Sequence, residues 1–155
     1  MTTEDSKKDL NQNTKSAVAR LMAVQASYEI SQNGRAVDTV IQDYLGSRTE
    51  MEIDGEKLVQ PDGALFKKIL EGVRTRKSDI EALLEGHHNK EEGSKKTIEP
   101  LLEAVLQCGT YEILAQDTDI PIIINDYLNV THAFYDKGEV TLVNGILDRI
   151  AKSLA

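Results

Sequence analysis

The stretch that decides the fold is Lys137-Gly-Glu-Val-Thr-Leu-Val-Asn-Gly-Ile-Leu-Asp-Arg-Ile-Ala-Lys-Ser-Leu154. Its apolar residues recur at the spacing of one buried helix face: Val143, Ile146, Leu147, Ile150 and Leu154. Asn144 and Gly145 interrupt this stripe, although glycine costs about 1 kcal/mol in a helix interior relative to alanine. We therefore expect Gly145 to allow either the close approach of a neighbouring helix or contact between a partner and the backbone.

The same periodicity predicts three helical stretches in the first half of the chain. They cover residues 14–33, with Thr14 as the cap, then 37–45, and a long pattern over 61–84. Arg76 falls within the apolar stripe of the third stretch, which predicts a break near residues 77–78. Ser78 and Glu81 would then form a capping box that restarts the helix. Residues 46–60 are expected to form a polar loop.

Three more helices are predicted in the second half. The helix that starts near Thr97 is apolar over a wide arc, so it should be the most buried, and Gly109 indicates close packing. Asp119 is the expected cap of the next helix. That helix should bury Ile120, Ile124, Leu128, Thr131 and Phe134. Since no strand-like alternation is found, the chain is predicted to be all-α, with about seven helices joined mostly by short loops.

Length and composition are those of one globular domain. The chain has 155 residues, of which 40% are hydrophobic and 28% charged. Residues 1–13 are polar and are predicted to be a disordered N-terminal tail, followed by a single helical domain over residues 14–155. No apolar run approaches the roughly 20 residues needed to span a bilayer, and no secretory signal is evident. The single cysteine, Cys108, lies in an apolar pattern. We therefore expect a cytoplasmic protein with no membrane association.

The charge distribution argues against unaided binding to nucleic acid. The formal net charge is −8, whereas affinity for phosphate chains depends on clustered cations. The densest cations lie in the third stretch, where Lys67 and Arg74 share a helix face, either as a solvated face or as an RNA contact. Lys15 opposes the helix dipole near the start of the first helix, which is consistent with an outside anion or with an ordinary solvated lysine.

Motifs for catalysis are absent from the sequence. It contains no Gly-rich phosphate loop, nucleophile elbow, HExxH or EF-hand pattern. His87 and His88 have no partner at metal-ligand spacing, and His132 stands alone in a helix. We therefore predict a binding protein that is not an enzyme, with no catalytic residues, metal or cofactor.

Several segments together resemble the NusB family of bacterial transcription antitermination factors. The resemblance covers nearly the whole chain after residue 14, and its most specific part is the run from Leu142 to Asp148. The other segments are Ala23-Val-Gln-Ala-Ser-Tyr28, Val105-Leu106, Tyr111-Glu112-Ile113-Leu114, Asp119-Ile120-Pro121, Ile124-Asn125-Asp126 and Phe134.

The resemblance implies two packed helical subdomains and a function in transcription. It implies a heterodimer with the small-subunit ribosomal protein that acts as NusE. That pair would bind single-stranded boxA RNA within an RNA polymerase elongation complex that contains other Nus factors and reads through ribosomal RNA operons. Single-stranded RNA needs a few cations for its phosphates and stacking partners for its bases.

Candidate site residues follow partly from the resemblance and partly from charge. The candidates for RNA binding are Lys15, Arg20, Gln25, Lys67, Arg74, Leu142 and Asn144, of which Lys15, Lys67 and Arg74 rest on charge alone. The candidates for partner binding are Tyr28, Leu102 and Gly138.

Departures from the family pattern point to weaker RNA binding. Ser16, Ala17 and Val18 stand where the family has cations, and Leu142 replaces an aromatic residue. Leu102 stands where a carboxylate is common, and His132 replaces a usual lysine. A protein-only scaffold with a decayed RNA surface is therefore the alternative, and the sequence leaves a homodimer open. A ribosomal RNA methyltransferase of this fold is not expected, because the chain ends at Ala155 without that domain.

Overall fold

A computed structural model describes residues 3–46, 52–53, 56–57, 61–88 and 98–155. Within these residues the chain forms seven helices, which confirms the all-α prediction. The helices are α1 (Thr3–Asn33), α2 (Val37–Gly46), α3 (Gly63–Thr75), α4 (Lys77–His88), α5 (Pro100–Ala115), α6 (Ile120–Phe134) and α7 (Lys137–Ser153).

The segment between α2 and α3 differs from the expected loop. Strand β1 (Glu52–Ile53) pairs with β2 (Glu56–Lys57) in an antiparallel ladder, with Glu52 opposite Lys57. The sequence between the strands is Asp-Gly, a strong short-range hairpin signal, and the strands are too short for apolar alternation to reveal them. The prediction of a polar loop without strands is therefore wrong at these four residues. The remaining residues of the predicted loop, 47–51, 54–55 and 58–60, lie outside the described residues.

Helix α1 begins earlier than its apolar pattern indicates. The sequence predicts a disordered tail over residues 1–13 and a cap at Thr14, whereas the helix begins at Thr3. Once part of a helix is packed, each further residue adds one hydrogen bond without a new nucleation cost, and neither proline nor glycine interrupts residues 3–13. The start at Thr14 is corrected accordingly, while the assignment of residues 14–155 to a single domain stays a prediction.

Helix α5 lies at the centre of the molecule, as its wide apolar arc predicts. It begins at Pro100, and the predicted start at Thr97 lies outside the described residues. Helices α1–α3 form one packed subdomain and α4–α7 the other, and α5 contacts both α1 and α3 of the first subdomain as well as its own neighbours. Cys108 of α5 is fully buried. Burial raises the pKa of its thiol far above the ordinary value.

The buried face of α7 is the predicted one, whereas that of α6 is rotated. Val143, Ile146, Leu147 and Ile150 are all buried, and only Leu154, which follows the end of α7, is exposed. In α6 the buried residues are Ile123, Tyr127, Val130 and Thr131. Of the residues predicted to be buried, Thr131 is buried, Phe134 is exposed, and the others are partly buried against the core: Ile120, Ile124 and Leu128. Helix α6 is apolar on more than one side, so periodicity alone did not determine the face that packs.

Two glycines permit close packing against α5, and Gly145 is not one of them. A Cβ on Gly109 would lie 3.0 Å from Cδ1 of Leu147, which confirms the close approach predicted there. A Cβ on Gly72 would lie 2.1 Å from ring atoms of Tyr111. At Gly145 the nearest atom is Nη1 of Arg149, 3.2 Å away and in the same helix. Close helix approach at Gly145 is therefore wrong, and a partner contact there stays a prediction.

The predicted break between α3 and α4 is present, but Ser78 does not cap α4 as predicted. The break falls at Arg76, and α4 begins at Lys77, so Ser78 lies inside the first turn and is not the cap. At the other end of α3, the Oδ1 of Asp62 caps the start of the helix by accepting a hydrogen bond from the Leu65 N–H at 3.0 Å.

Gly72→Ala and Gly145→Ala should change stability in opposite directions. At Gly72 the new methyl group overlaps the Tyr111 ring, and overpacking of about 1–3 kcal/mol exceeds the helix-propensity gain, so we expect a net loss of about 1 kcal/mol or more. At Gly145 only the end of a flexible side chain must move, and we expect a gain of up to about 1 kcal/mol. Urea unfolding of both variants measures this; a gain for Gly72→Ala would contradict the packing described.

Candidate interaction surfaces

Arg20 is buried in an ion cluster that joins three helices. Its Nε and Nη2 donate to Oε2 and Oε1 of Glu112 in α5, both at 2.8 Å, and its Nη1 donates to Oδ2 of Asp126 in α6 at 2.9 Å. Only 2% of Arg20 is exposed. Its donors are committed to carboxylates inside the protein, so a contact between Arg20 and RNA would require the side chain to leave them, and that contact stays a prediction.

The cluster is negatively charged overall. One guanidinium faces two carboxylates, and the Tyr127 hydroxyl donates to Oε2 of Glu112 at 2.6 Å. Burial by itself lowers the pKa of Arg20, but the hydrogen bond and charge of Glu112 raise that pKa above its ordinary value. Burial raises the pKa of Asp126, and the charge of Arg20 only partly offsets this. Asp126 is the more exposed carboxylate of the two.

Asp126 lines two adjoining grooves beside α1, which we call together the α1–α6 groove. One part, of about 600 Å³, lies between the first half of α1 and the starts of α3 and α6, and Ser16, Asp62 and Ile122 also line it. The other part, of about 410 Å³, lies between α1 and α6 and is mostly apolar. Its apolar lining residues are Ala17, Val18, Leu21, Val130 and Ala133.

The α1–α6 groove is poorly suited to a phosphate. Ser16, Ala17 and Val18, which stand where the resemblance implies cations, all line it, together with the carboxylates of Asp62 and Asp126. Its only cation among the described lining residues is Arg20, which is already paired. Like charges raise the cost of placing an anion there. Asp62 and Asp126 are not among the predicted site residues, because only the packing of α3 and α6 against α1 brings them together.

The other candidates on α1 lie in different surroundings. Tyr28 is 38% exposed, so its ring is available to a partner. Gln25 is partly buried. Lys15 is also partly buried, and its carbonyl oxygen accepts a hydrogen bond from the Asp62 N–H at 3.1 Å. Lys15 therefore holds the start of α3 through its backbone, and binding roles for all three side chains stay predictions.

The first turns of α7 form an exposed, largely uncharged surface. Gly138, Leu142 and Asn144 are all exposed, and Leu142 shows 37% of its surface. Gly138 and Leu142 are four residues apart, so they share one helix face, whereas Asn144 points elsewhere. This surface has room for a partner or a base, and the assignments of these three residues stay predictions.

Leu102 does not lie on a surface. Only 4% of it is exposed, and it belongs to the hydrophobic core. A partner contact by Leu102 would require its exposure, and that contact stays a prediction. The apolar residue that replaces a carboxylate at this position packs inward along the wide buried arc of α5.

Most cations of α3 and α4 are paired with carboxylates. Lys68 forms an ion pair with Asp117, Lys67 lies 4.0 Å from Glu71, and Lys77 lies 3.9 Å from Glu81. Arg74 is exposed, and no ion pair joins it to any residue that the structure describes. Both Lys67 and Arg74 reach solvent, so RNA contacts by either side chain stay predictions.

Metal and membrane sites receive no support from the described part of the chain. Among residues 3–46, 52–53, 56–57, 61–88 and 98–155, no group of three or more His, Cys, Asp or Glu side chains could hold a metal ion. None of the helices described has the length and apolar character that crossing a membrane requires.

Fold and surfaces together define a helical binding protein with a buried ion cluster and several exposed patches. The sequence model of the NusB family matches residues 17–152. The chain belongs to the NusB family, whose members are non-catalytic transcription antitermination factors, so the prediction that it is not an enzyme is confirmed.

Named relatives agree with this assignment along nearly the whole chain. The transcription antitermination protein NusB of Allorhizobium ampelinum is 35% identical over 99% of this chain and 96% of its own length. The protein of the same name from Rhizobium rhizogenes is 32% identical over the same shares.

Two solved structures share the fold. A chain in the crystal structure of antitermination factors NusB and NusE in complex with dsRNA matches with a TM-score of 0.71 and 17% identity, over 88% of this chain and 96% of that chain. T. maritima NusB matches with a TM-score of 0.66 and 21% identity, over 88% and 89% of the two chains. These likenesses confirm the two-subdomain helical fold.

Arg20→Ala and Arg74→Ala form a matched pair that tests the buried cluster. Loss of Arg20 leaves Glu112 and Asp126 unpaired in a buried setting, so we expect the free energy of unfolding to fall by about 3–5 kcal/mol. Loss of the exposed Arg74 should change it by less than about 0.5 kcal/mol. Chemical denaturation at neutral pH measures both; equal, small effects would show that the cluster does not hold α1 in place.

Proposed function

We propose that this chain pairs with the small-subunit ribosomal protein that acts as NusE, and that the pair, rather than the chain alone, holds boxA RNA in the RNA polymerase elongation complex. The observation that carries the proposal is the α1–α6 groove. Ser16, Ala17 and Val18 of α1 stand where the family resemblance implies cations, and the carboxylates of Asp62 and Asp126 line the same groove. A partner that brings its own cations would supply what this face lacks.

Protein contact is supported by the exposed surfaces and by overall charge. Tyr28 is an exposed aromatic side chain of the type that is enriched in the hot spots of protein interfaces. A formal net charge of −8 favours association with a basic partner and increases the rate of encounter at low salt. Family membership makes an antitermination partner the natural one, and the related complex contains NusE.

RNA binding by the chain alone should be weak. Arg20 is consumed inside the protein, and the exposed cations on α3 are mostly paired. A protein that neutralises fewer phosphates releases fewer counterions, so the salt dependence of any residual binding should be shallow. Since the related complex contains dsRNA, both a single strand and a duplex are suitable probes.

The alternative is a protein-only scaffold of the same fold. The same groove favours it, because carboxylates at Asp62 and Asp126 would oppose RNA whether or not a partner is bound. The two functions differ only in whether the partner complex gains affinity for RNA.

Titration of labelled boxA RNA, with and without the ribosomal partner, separates the two functions. We expect sub-micromolar binding only with the partner present, and weakening as salt rises from about 0.05 to 0.2 M, because cations of the pair displace counterions. Fluorescence anisotropy with single-stranded and duplex RNA measures this. Sub-micromolar binding by the chain alone in about 0.15 M salt would contradict the proposal. Partner binding without any RNA affinity would instead establish the scaffold.

Leu142→Phe should strengthen RNA binding by the pair. An aromatic ring on the exposed face of α7 can stack on a base, which contributes about 1–3 kcal/mol per base, or about 5-fold to 150-fold in affinity. Leu142→Ala is the matched control and should leave the RNA affinity of the pair nearly unchanged, because no stacking group is removed. If Leu142→Phe has no effect while the pair still binds RNA, this surface does not face the RNA.

A further inference from the structure

A separate cavity of about 320 Å³ lies between α1, α3 and α4, beside the break at Arg76, and Val37 of α2 and Gln107 of α5 also line it. We call it the Arg74 pocket. Its floor is formed by the buried side chains of Leu70 and Ile80, and Val37 and Val73 supply partly buried apolar walls. No element of the proposed function uses this cavity.

The mouth of the Arg74 pocket is positive. Arg74, Lys77 and Glu81 line it and are exposed, so two cations and one carboxylate leave a formal charge of +1. Lys77 lies 3.9 Å from Glu81 and is partly compensated. Arg74 has no carboxylate partner among the residues that the structure describes. A positive mouth on a chain of net charge −8 is a local exception that selects for an anion.

The size and the lining of the cavity limit the class of ligand that fits it. A volume of about 320 Å³ is at the lower end of the roughly 300–1,000 Å³ found for small-ligand sites, which suits one bulky apolar side chain. The described lining contains no aromatic residue on which a nucleobase could stack. These features favour an acidic protein segment over RNA.

We propose that the Arg74 pocket binds an acidic peptide segment of a partner protein, with one large apolar side chain seated between α1, α3 and α4 and a flanking carboxylate paired with Arg74. The apolar anchor gains from burial against Leu70 and Ile80, as in hot spots of protein interfaces. The arginine fork suits a carboxylate in two-point contact. Arg74 is then a specificity residue for a protein partner rather than a phosphate contact.

Fluorescence anisotropy with a labelled peptide tests the proposal. The probe carries a central phenylalanine flanked by glutamates, and a second peptide replaces the phenylalanine by alanine. We expect the phenylalanine peptide to bind at least about tenfold more tightly than the alanine peptide, and Arg74→Glu to weaken it about tenfold or more. A peptide with lysines in place of the glutamates should bind Arg74→Glu better than the unmodified protein.

Two further variants keep the test specific. Lys67→Glu changes an exposed cation on the same helix away from the cavity and should leave peptide affinity unchanged. Ser31 lines the cavity and is exposed, so the tryptophan side chain of Ser31→Trp should fill the cavity. This variant should bind neither the peptide with glutamates nor the peptide with lysines. Circular dichroism confirms that each variant is folded.

Three outcomes would overturn the proposal. Equal binding of the phenylalanine and alanine peptides would show that surface charge alone binds the peptide and that no apolar side chain enters the cavity. Equal losses of peptide affinity for Lys67→Glu and Arg74→Glu would show that the cavity does not contribute to binding. Displacement of the peptide by single-stranded RNA, with the same reduction of RNA affinity in Arg74→Glu, would assign these cations to RNA instead.

Discussion

The interaction on which the rest of the structure depends is the pairing of Arg20 with Glu112 and Asp126. A guanidinium buried this deeply is tolerable only where carboxylates satisfy its donors, and those carboxylates come from α5 and α6. The pairing therefore sets which side of α1 faces inward. It also decides which residues of α1 remain for the outer surface, so Ser16, Ala17 and Val18 become the lining of a groove. A charge requirement inside the protein thus determines the character of a surface outside it.

Much of the fold could be predicted because strong apolar periodicity leaves few alternatives. The wide arc of α5 and the stripe of α7 each specify one buried face, and both are found as expected. Helix α6 is apolar on several sides, so its sequence does not specify one buried face. The face that packs inward carries Tyr127, whose hydroxyl donates a hydrogen bond to Glu112. The start of α1 and the short hairpin escaped prediction because neither segment carries an apolar periodicity in its sequence.

Less of the candidate surface could be predicted, for a related reason. A lone arginine in a helix looks the same in sequence whether it faces solvent or pairs with carboxylates ninety or more positions away, as Arg20 does. Leu102 shows the converse, since a family position that resembles a contact is occupied here by a core residue. Exposed positions such as Tyr28 and Leu142 were found because family likeness identified the positions and packing left them uncovered.

The burial of Cys108 has a practical consequence for work in solution. A thiol with a raised pKa and no access to solvent is almost never present as the reactive thiolate. The folded chain therefore does not react with maleimide or iodoacetamide reagents, although it contains one cysteine. A second cysteine introduced on any exposed helix face would be the single labelling site of the native protein, and modification of Cys108 itself would report that the molecule has opened.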